Sequence, residues 1–244
     1  SLAREFQRPS AEFLSLSYDK VIANNLTHRY YCCDVIEKDS LTVKILEWEN
    51  PSSCMIFCNK KRDVSYLEQV LHNQGFNVAA LSGDVAQKQR EKTLENFRKE
   101  KLNILICTDV AARGIDVSHV THVIIFDHPE DREVYVHRSG RTARAGKTGV
   151  AISLITPVEE IEIQKTAADF GIHFEKMPPI TDEMLNEKIG MRLLENLEQQ
   201  KNLLGPLDRQ RLSRYLPLVD NMVQDKYLKE SLCFLLDSFL KKRI

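Results

Sequence analysis

The chain has 244 residues, of which 43% are hydrophobic and 28% charged, with 34 Lys and Arg set against 35 Asp and Glu. That length and make-up suit an ordinary globular protein with a sizeable core, and they exclude disordered, fibrous and disulfide-scaffold classes. A near-neutral balance also excludes a general polycation, so any contact with nucleic acid must come from a local groove.

Residues 1–26 have no clean period and read as an arm, with the chain starting in mid-protein. From Thr27 a βα rhythm sets in. Strands are expected at Tyr30–Val35, Cys54–Cys58, Val78–Leu81, Ile104–Cys107 and Val120–Phe126, with a last one at Val150–Ile155. Helical spacing marks Leu41–Trp48, the stripe Asp63, Leu67, Val70 and Leu71 that stops at Gly75, then Gln87–Arg98, Glu133–Arg138 and Val158–Phe170. Strands alternating with helices of this length predict a parallel α/β sheet covered on both faces. In such sheets ligands bind beyond the carboxyl ends of the strands. Asn59, Ser82-Gly83-Asp84 and Thr108-Asp109 each directly follow a strand and so share one rim.

Met177-Pro178-Pro179 ends the rhythm, and three helical segments come after it, at about Glu183–Gln200, Asp208–Val223 and Lys226–Lys242. Asp208 is a plausible N-cap, and Pro217 should kink or split the second segment. The third, with Ser231-Leu232-Cys233-Phe234-Leu235-Leu236, is apolar almost all round and must be buried on several sides. Two arrangements answer that need. The helices fold back on the α/β lobe, or they pair with a second copy through residues 183–242, burying Leu232, Leu235, Leu236 and Phe239.

Six cysteines occur without a CxxC pair. Cys54, Cys58 and Cys107 read as small buried hydrophobes of a reducing compartment. Cys32 and Cys33 would face opposite sides of a strand, which is poor geometry for one metal, and no metal site is expected. There is no leader pattern and no apolar run long enough to span a bilayer, so a cytoplasmic protein without a membrane partner is expected.

The most informative segment runs from His137 to Gly146. Three arginines and a histidine surround a glycine there, and guanidinium forks grip phosphate oxygens bidentately while glycine lets the backbone come close. On a helix Arg141 and Arg144, three apart, would share a face. Asp116, after Arg113-Gly114, can accept from a ribose hydroxyl or serve as a turn residue. Thr108 offers a hydroxyl to a phosphate or caps the next segment of chain. Gln87 and Arg90 sit one turn apart at a helix start, where free amides favour anions. No nucleophile signature and no HExxH spacing accompanies His137.

Taken in order, Met55-Ile56-Phe57-Cys58-Asn59, Ser82-Gly83-Asp84, Gln87-x-x-Arg90, Thr108 to Asp116 and His137-Arg138-x-Gly140-Arg141-x-x-Arg144 resemble motifs IV, IVa, QxxR, V and VI of the DEAD-box RNA helicases. The match covers about Thr27 to Phe170. The resemblance implies a RecA-like C-terminal lobe over residues 27–176, an interlobe linker over 1–26, and a small all-α extension over 177–244 similar to the dimerisation module of cold-shock-type members. It implies that Asp116 and Gly114 meet the nucleotide, that Arg141 and Arg144 act as arginine fingers on the γ-phosphate, and that His137 stands at the junction with the other lobe. Asn59, Gly83, Arg90 and Thr108 would approach the RNA backbone or support that contact. ATP would be the cofactor, with Mg2+ held mainly by an N-terminal lobe. That lobe's GxxxxGKT and Asp-Glu-Ala-Asp sequences do not occur here, so this chain alone should not hydrolyse ATP. Ser82 and Ser139 depart from the family pattern without removing a charge. The rival readings are a DNA-directed superfamily 2 helicase or translocase and a non-catalytic RNA-binding scaffold.

Overall fold

In the computed structural model, which describes residues 25–83, 85–112, 115, 119–144 and 146–241, seven strands form one all-parallel sheet. They are β1 (Leu26–Cys32), β2 (Cys54–Phe57), β3 (Val78–Leu81), β4 (Ile104–Cys107), β5 (His122–Ile125), β6 (Gly149–Ile155) and β7 (Phe174–Lys176). Their order in the sheet is β3-β4-β2-β5-β6-β1-β7. The lobe's helices are α1 (Lys38–Glu49), α2 (Lys61–Asn73), α3 (Gln87–Arg98), the short α4 (Asp109–Ala112), α5 (Arg132–Ser139) and α6 (Glu160–Phe170). Every residue of the central β2 and β4 is buried, as a strand covered on both faces requires. Cys54 and Ile56 point to the layer of α1 and α2, whereas Met55 and Phe57 point to the layer of α3 and α5. Cys54, Cys58 and Cys107 are buried, as expected.

Local chemistry explains most boundaries. Val64, Leu67 and Leu71 form the buried stripe of α2, and the chain leaves it through Gly75 at φ +89°. The expected strand Tyr30–Val35 is displaced, with Val35–Glu37 in a 3-10 turn, and one strand was not expected at all, because pairing, not apolar content, decides both. β1 starts at Leu26 because it pairs with β6 along its full length, from Leu26 opposite Gly149 to Cys32 opposite Ile155. The unforeseen β7 carries Glu175 and Lys176 as exposed charges on an edge strand that, among the described residues, pairs with β1 alone. Cys32 and Cys33 both border one cleft of about 400 Å³ with Tyr31, Lys44 and Met177. Burial pushes the Cys33 thiol up to about 11.

The extension begins with α7 (Asp182–Asn202), capped by Thr181, whose hydroxyl accepts from the Met184 amide at 3.2 Å. Its first half is strapped to α1. Leu185 joins the core beside Ile45 and Leu46, the Lys188 ammonium lies 3.8 Å from the centre of the Trp48 ring, and Arg192 donates to the Glu47 carbonyl. The second expected segment is two helices, α8 (Pro206–Ser213) and α9 (Leu216–Gln224), with Pro217 accommodated in the first turn of α9. Gly205, not Asp208, is the N-cap of α8, because Pro206 takes the first helical position. The last helix is α10 (Lys226–Lys241), and Phe234, Leu235 and Leu236 on it are 45–69% exposed. The burial expected of that helix is therefore not met within one chain. No described helix is long and apolar enough to cross a membrane.

The strap makes a clear prediction. Leu185→Ala should lower the unfolding free energy by about 2–3 kcal/mol, the cost of a truncated core leucine. Leu207→Ala, at a position 81% exposed, should leave the urea midpoint almost unmoved.

Candidate functional site

β2 lies between β4 and β5, and the three carboxyl ends place Asn59, Asp109 and Asp127 side by side on one rim. Chain order reverses direction across the sheet at this point, where doubly wound sheets bind ligands. Arg138, from the last turn of α5, closes over all three. Its Nε donates to Asp109 Oδ1 at 2.8 Å and its Nη2 to Asp109 Oδ2 at 2.7 Å. Nη2 also reaches Asn59 Oδ1 at 2.6 Å, and Nη1 reaches the Asp127 carbonyl at 2.7 Å. The guanidinium is 5.6 Å from the centre of the Phe57 ring, and the residue is 2% exposed. A buried charge survives only when paired and fully hydrogen-bonded, and this fork meets that condition.

The arginine-bearing segment continues from there. Asp131 caps α5 by accepting from the Glu133 amide at 2.8 Å, and the basic last turn complements the helix dipole. The helix stops at Ser139, so Arg141 and Arg144 lie on the succeeding turns and not on a shared helical face as expected. The Thr142 hydroxyl fastens these turns, 2.6 Å from the Val120 carbonyl and 3.0 Å from that of Thr121. A Cβ on Gly149 would fall 2.3 Å from Thr142 Oγ1 and 2.6 Å from the Ala143 nitrogen, so only glycine lets β6 begin beneath this loop. Ala143 adopts φ +56°, a strained value for a residue with a side chain. Ser139, a departure from the family pattern, is buried with its hydroxyl on the Val136 carbonyl at 3.2 Å.

Arg141 is half-buried and donates from Nη1 to the Ile115 carbonyl at 3.0 Å. Burial first, and the neighbouring Arg144 second, hold its pKa below the usual guanidinium value. Arg144 curls back, its Nε on the Gly140 carbonyl at 2.9 Å. His137 is exposed and lines, with Asp109, Ala112, Val134 and Arg141, a cleft of about 250 Å³. Arg141 and His137 thus flank one open cleft, which Arg138 and its partner Asp109 also border, chemistry that fits the phosphate end of a nucleotide. Asp116 and Gly114, expected at the nucleotide, and Asp84 and Arg113 lie outside the described residues.

The residues expected near RNA divide. Gly83 is exposed on the turn after β3. Asn59 is at the rim, but its carboxamide oxygen takes Arg138 while its nitrogen donates to the His128 carbonyl at 3.0 Å. Arg90 donates to the Ala111 carbonyl at 2.7 Å and so braces α4. Thr108 is buried, and its carbonyl accepts from the Ala112 amide at 2.9 Å. Sequence reasoning put Asp109 on the rim without foreseeing its pairing with Arg138, and it passed over Asp127 and Gly149 as functional positions. For the two acids a signal existed, a carboxylate directly after a buried strand.

The geometry separates two neighbouring arginines. Arg138→Ala strands a carboxylate and an amide and should cost about 3–5 kcal/mol in chemical unfolding. Arg141→Ala breaks one main-chain contact and should cost under about 1 kcal/mol.

Residues 37–146 match the family model described as the helicase conserved C-terminal domain. The DEAD-box ATP-dependent RNA helicase CshA of Geobacillus kaustophilus is 35% identical over 195 residues, which cover 79% of this chain and 42% of the relative. RhpA of Helicobacter pylori, another DEAD-box ATP-dependent RNA helicase, is 29% identical over 200 residues, 79% of this chain and 41% of the relative. The chain therefore spans about two fifths of the length of these curated relatives. Among solved structures, E. coli DEAD-box protein SrmB bound to regulator of ribonuclease activity A superposes with TM-score 0.60 at 33% identity, covering 65% of this chain and 93% of that one. Yeast Dbp5 bound to RNA and ADP BeF3 superposes with TM-score 0.65 at 28% identity, over 74% of this chain and 50% of that one. The RecA-like sheet, the motif order and these matches agree: the chain belongs to the DEAD-box RNA helicase family, of which it carries the C-terminal helicase domain followed by a helical extension.

Proposed function

We propose that this lobe supplies the arginine fingers and part of the RNA track of an ATP-dependent RNA helicase. The observation that carries the reading is the division of labour within one motif. Arg138 is spent on the rim, whereas Arg141 lies beside the open cleft with a main-chain carbonyl as its described partner. A contact of that kind is exchanged readily for a phosphate oxygen, which is the stronger, charge-assisted partner. On this reading an N-terminal RecA-like lobe of the longer protein holds the triphosphate and its Mg2+. Cleft closure brings Arg141 and Arg144 onto the developing charge and sets His137 at the junction. Asp116 and Gly114 meet the ribose end.

Gly83 and the exposed edge of Asn59 face the RNA backbone, while Arg90 and Thr108 hold the loop beneath it. Contacts to phosphate and sugar make recognition largely independent of sequence. Closure then unpairs a short duplex locally, and hydrolysis releases it. Residues 1–26 serve as the interlobe linker and 27–176 as the catalytic lobe of a cytoplasmic enzyme. Residues 177–244 form the extension, whose exposed Leu235, Leu236 and Phe234 favour pairing with a second copy over a solvated surface.

Four measurements test this. The chain alone should show no ATP turnover above background, with or without RNA. In the longer protein, Arg141→Ala or Arg144→Ala should lower RNA-stimulated kcat by about a thousandfold, the usual worth of an arginine finger, with RNA binding retained. Equal stimulation by DNA and RNA would favour the DNA-directed reading instead. Light scattering should give twice the 28.1 kDa chain mass at micromolar concentration, and a monomer there ends the pairing proposal.

A further inference from the structure

Beneath α5 lies a buried polar cluster that neither phosphate nor RNA contact explains. The His28 ring, on β1, meets the Tyr135 hydroxyl of α5 through Nδ1 at 2.7 Å. Tyr135 is fully buried and His28 is 5% exposed. The His128 ring, from the loop after β5, lies 6.4 Å from the Tyr135 ring, and Phe174 of β7 packs on His28 and Tyr135 at 5.6 and 5.2 Å. His28 Nε2 and both ring nitrogens of His128 are buried without a hydrogen-bond partner among the described residues. Three unpaired imidazole nitrogens in an aromatic pocket are costly, and the pocket tolerates them only while no charge enters it.

We propose that His28 is a positioning residue for the arginine-bearing segment, acting through the Tyr135 hydroxyl, and that the pair is a latch that weakens when the imidazole gains a proton, because the charge would sit in a buried aromatic pocket. The proposal rests on the assignment of Arg141 and Arg144 to phosphate, because they are the groups the latch positions. The path is short. Tyr135 precedes Arg138 by almost one turn of α5, so releasing the hydroxyl loosens the helix that carries the clamp. His128 is linked to the same clamp, since its carbonyl holds the Asn59 amide and its ring feels the Arg138 charge.

The charged surroundings favour an acid response. Burial holds the His28 imidazole down at about 4. β6 and β7 contribute Ser153 and Phe174 to the cluster, both uncharged. Burial also lowers the His128 imidazole. Glu159 and Glu162, at the start of α6, oppose that shift, whereas Arg138 of α5 and Lys38 of α1 add to it. A histidine depressed in the closed state stabilises that state fully above its ordinary value of 6.5, and the stabilisation drains away as pH falls from there toward about 4.

Hydrogen exchange on this chain, corrected for intrinsic rates, reads the latch directly. Between about pH 7.5 and about pH 5.5, protection of the α5 amides should fall about tenfold in the wild type, with α2 unaffected. His28→Gln, which can bond the hydroxyl but cannot take a proton, should shrink that loss to the part that His128 contributes. Tyr135→Phe should lower α5 protection already at about pH 7.5. Identical acid losses in wild type and His28→Gln, loss spread equally over α2 and α5, or unchanged α5 protection in Tyr135→Phe would each overturn the latch. In the longer protein, the acidic limb of RNA-stimulated turnover should move to lower pH in His28→Gln. Absence of RNA-stimulated turnover at every pH would instead remove the helicase reading and leave the exchange result to stand or fall alone.

Discussion

A single buried guanidinium organises the functional rim of this protein. Three strand ends meet a solvent-facing edge, where unpaired main-chain and side-chain groups would otherwise splay apart. Arg138 joins the loops after β2, β4 and β5 through Asn59, Asp109 and the Asp127 carbonyl. The cost of taking its charge from water is offset because each contact is short and the Asp109 pair is bidentate. Lysine could not reproduce this, since it lacks the planar fork that reaches several acceptors at once.

The rest of the site inherits its geometry from that clamp. With α5 fixed, the turns after Ser139 have one place to go, across the start of β6. Gly149 leaves room for them, and the Thr142 hydroxyl ties them down. Arg141 is thereby delivered to the cleft, where Asp109, the acid that shares it, is already bound by Arg138. On the proposed reading Arg141 binds a phosphate held elsewhere, a task that needs a fixed backbone and a replaceable local partner. The Ile115 carbonyl provides such a partner.

Much of this was legible in the residues, for identifiable reasons. β3, β4 and α3 fall where their apolar runs and periods place them, because those elements are bounded by polar turns. β7 and the first residues of β1 were hidden because backbone pairing, which leaves no mark in side-chain hydropathy, creates them. Arg138, Arg141 and Arg144 stand out together as a cationic cluster, yet sequence gives them equal weight. Only three-dimensional placement separates the one that is spent on the rim from the others. The extension was legible as helices and Pro217 as a break, but not that α7 would use Leu185, Lys188 and Arg192 to grip α1. Those contacts depend on which face of α1 the sheet leaves uncovered.

The most direct measurement is a crystal structure of the longer protein closed on RNA and a non-hydrolysable ATP analogue. The Arg138 fork should keep its bonds to Asn59 and Asp109, while the Arg141 guanidinium leaves the Ile115 carbonyl for a γ-phosphate oxygen at hydrogen-bonding distance. A closed complex in which Arg141 stays on that carbonyl, or in which Arg138 is the arginine that turns to the phosphate, would contradict the division of roles between them.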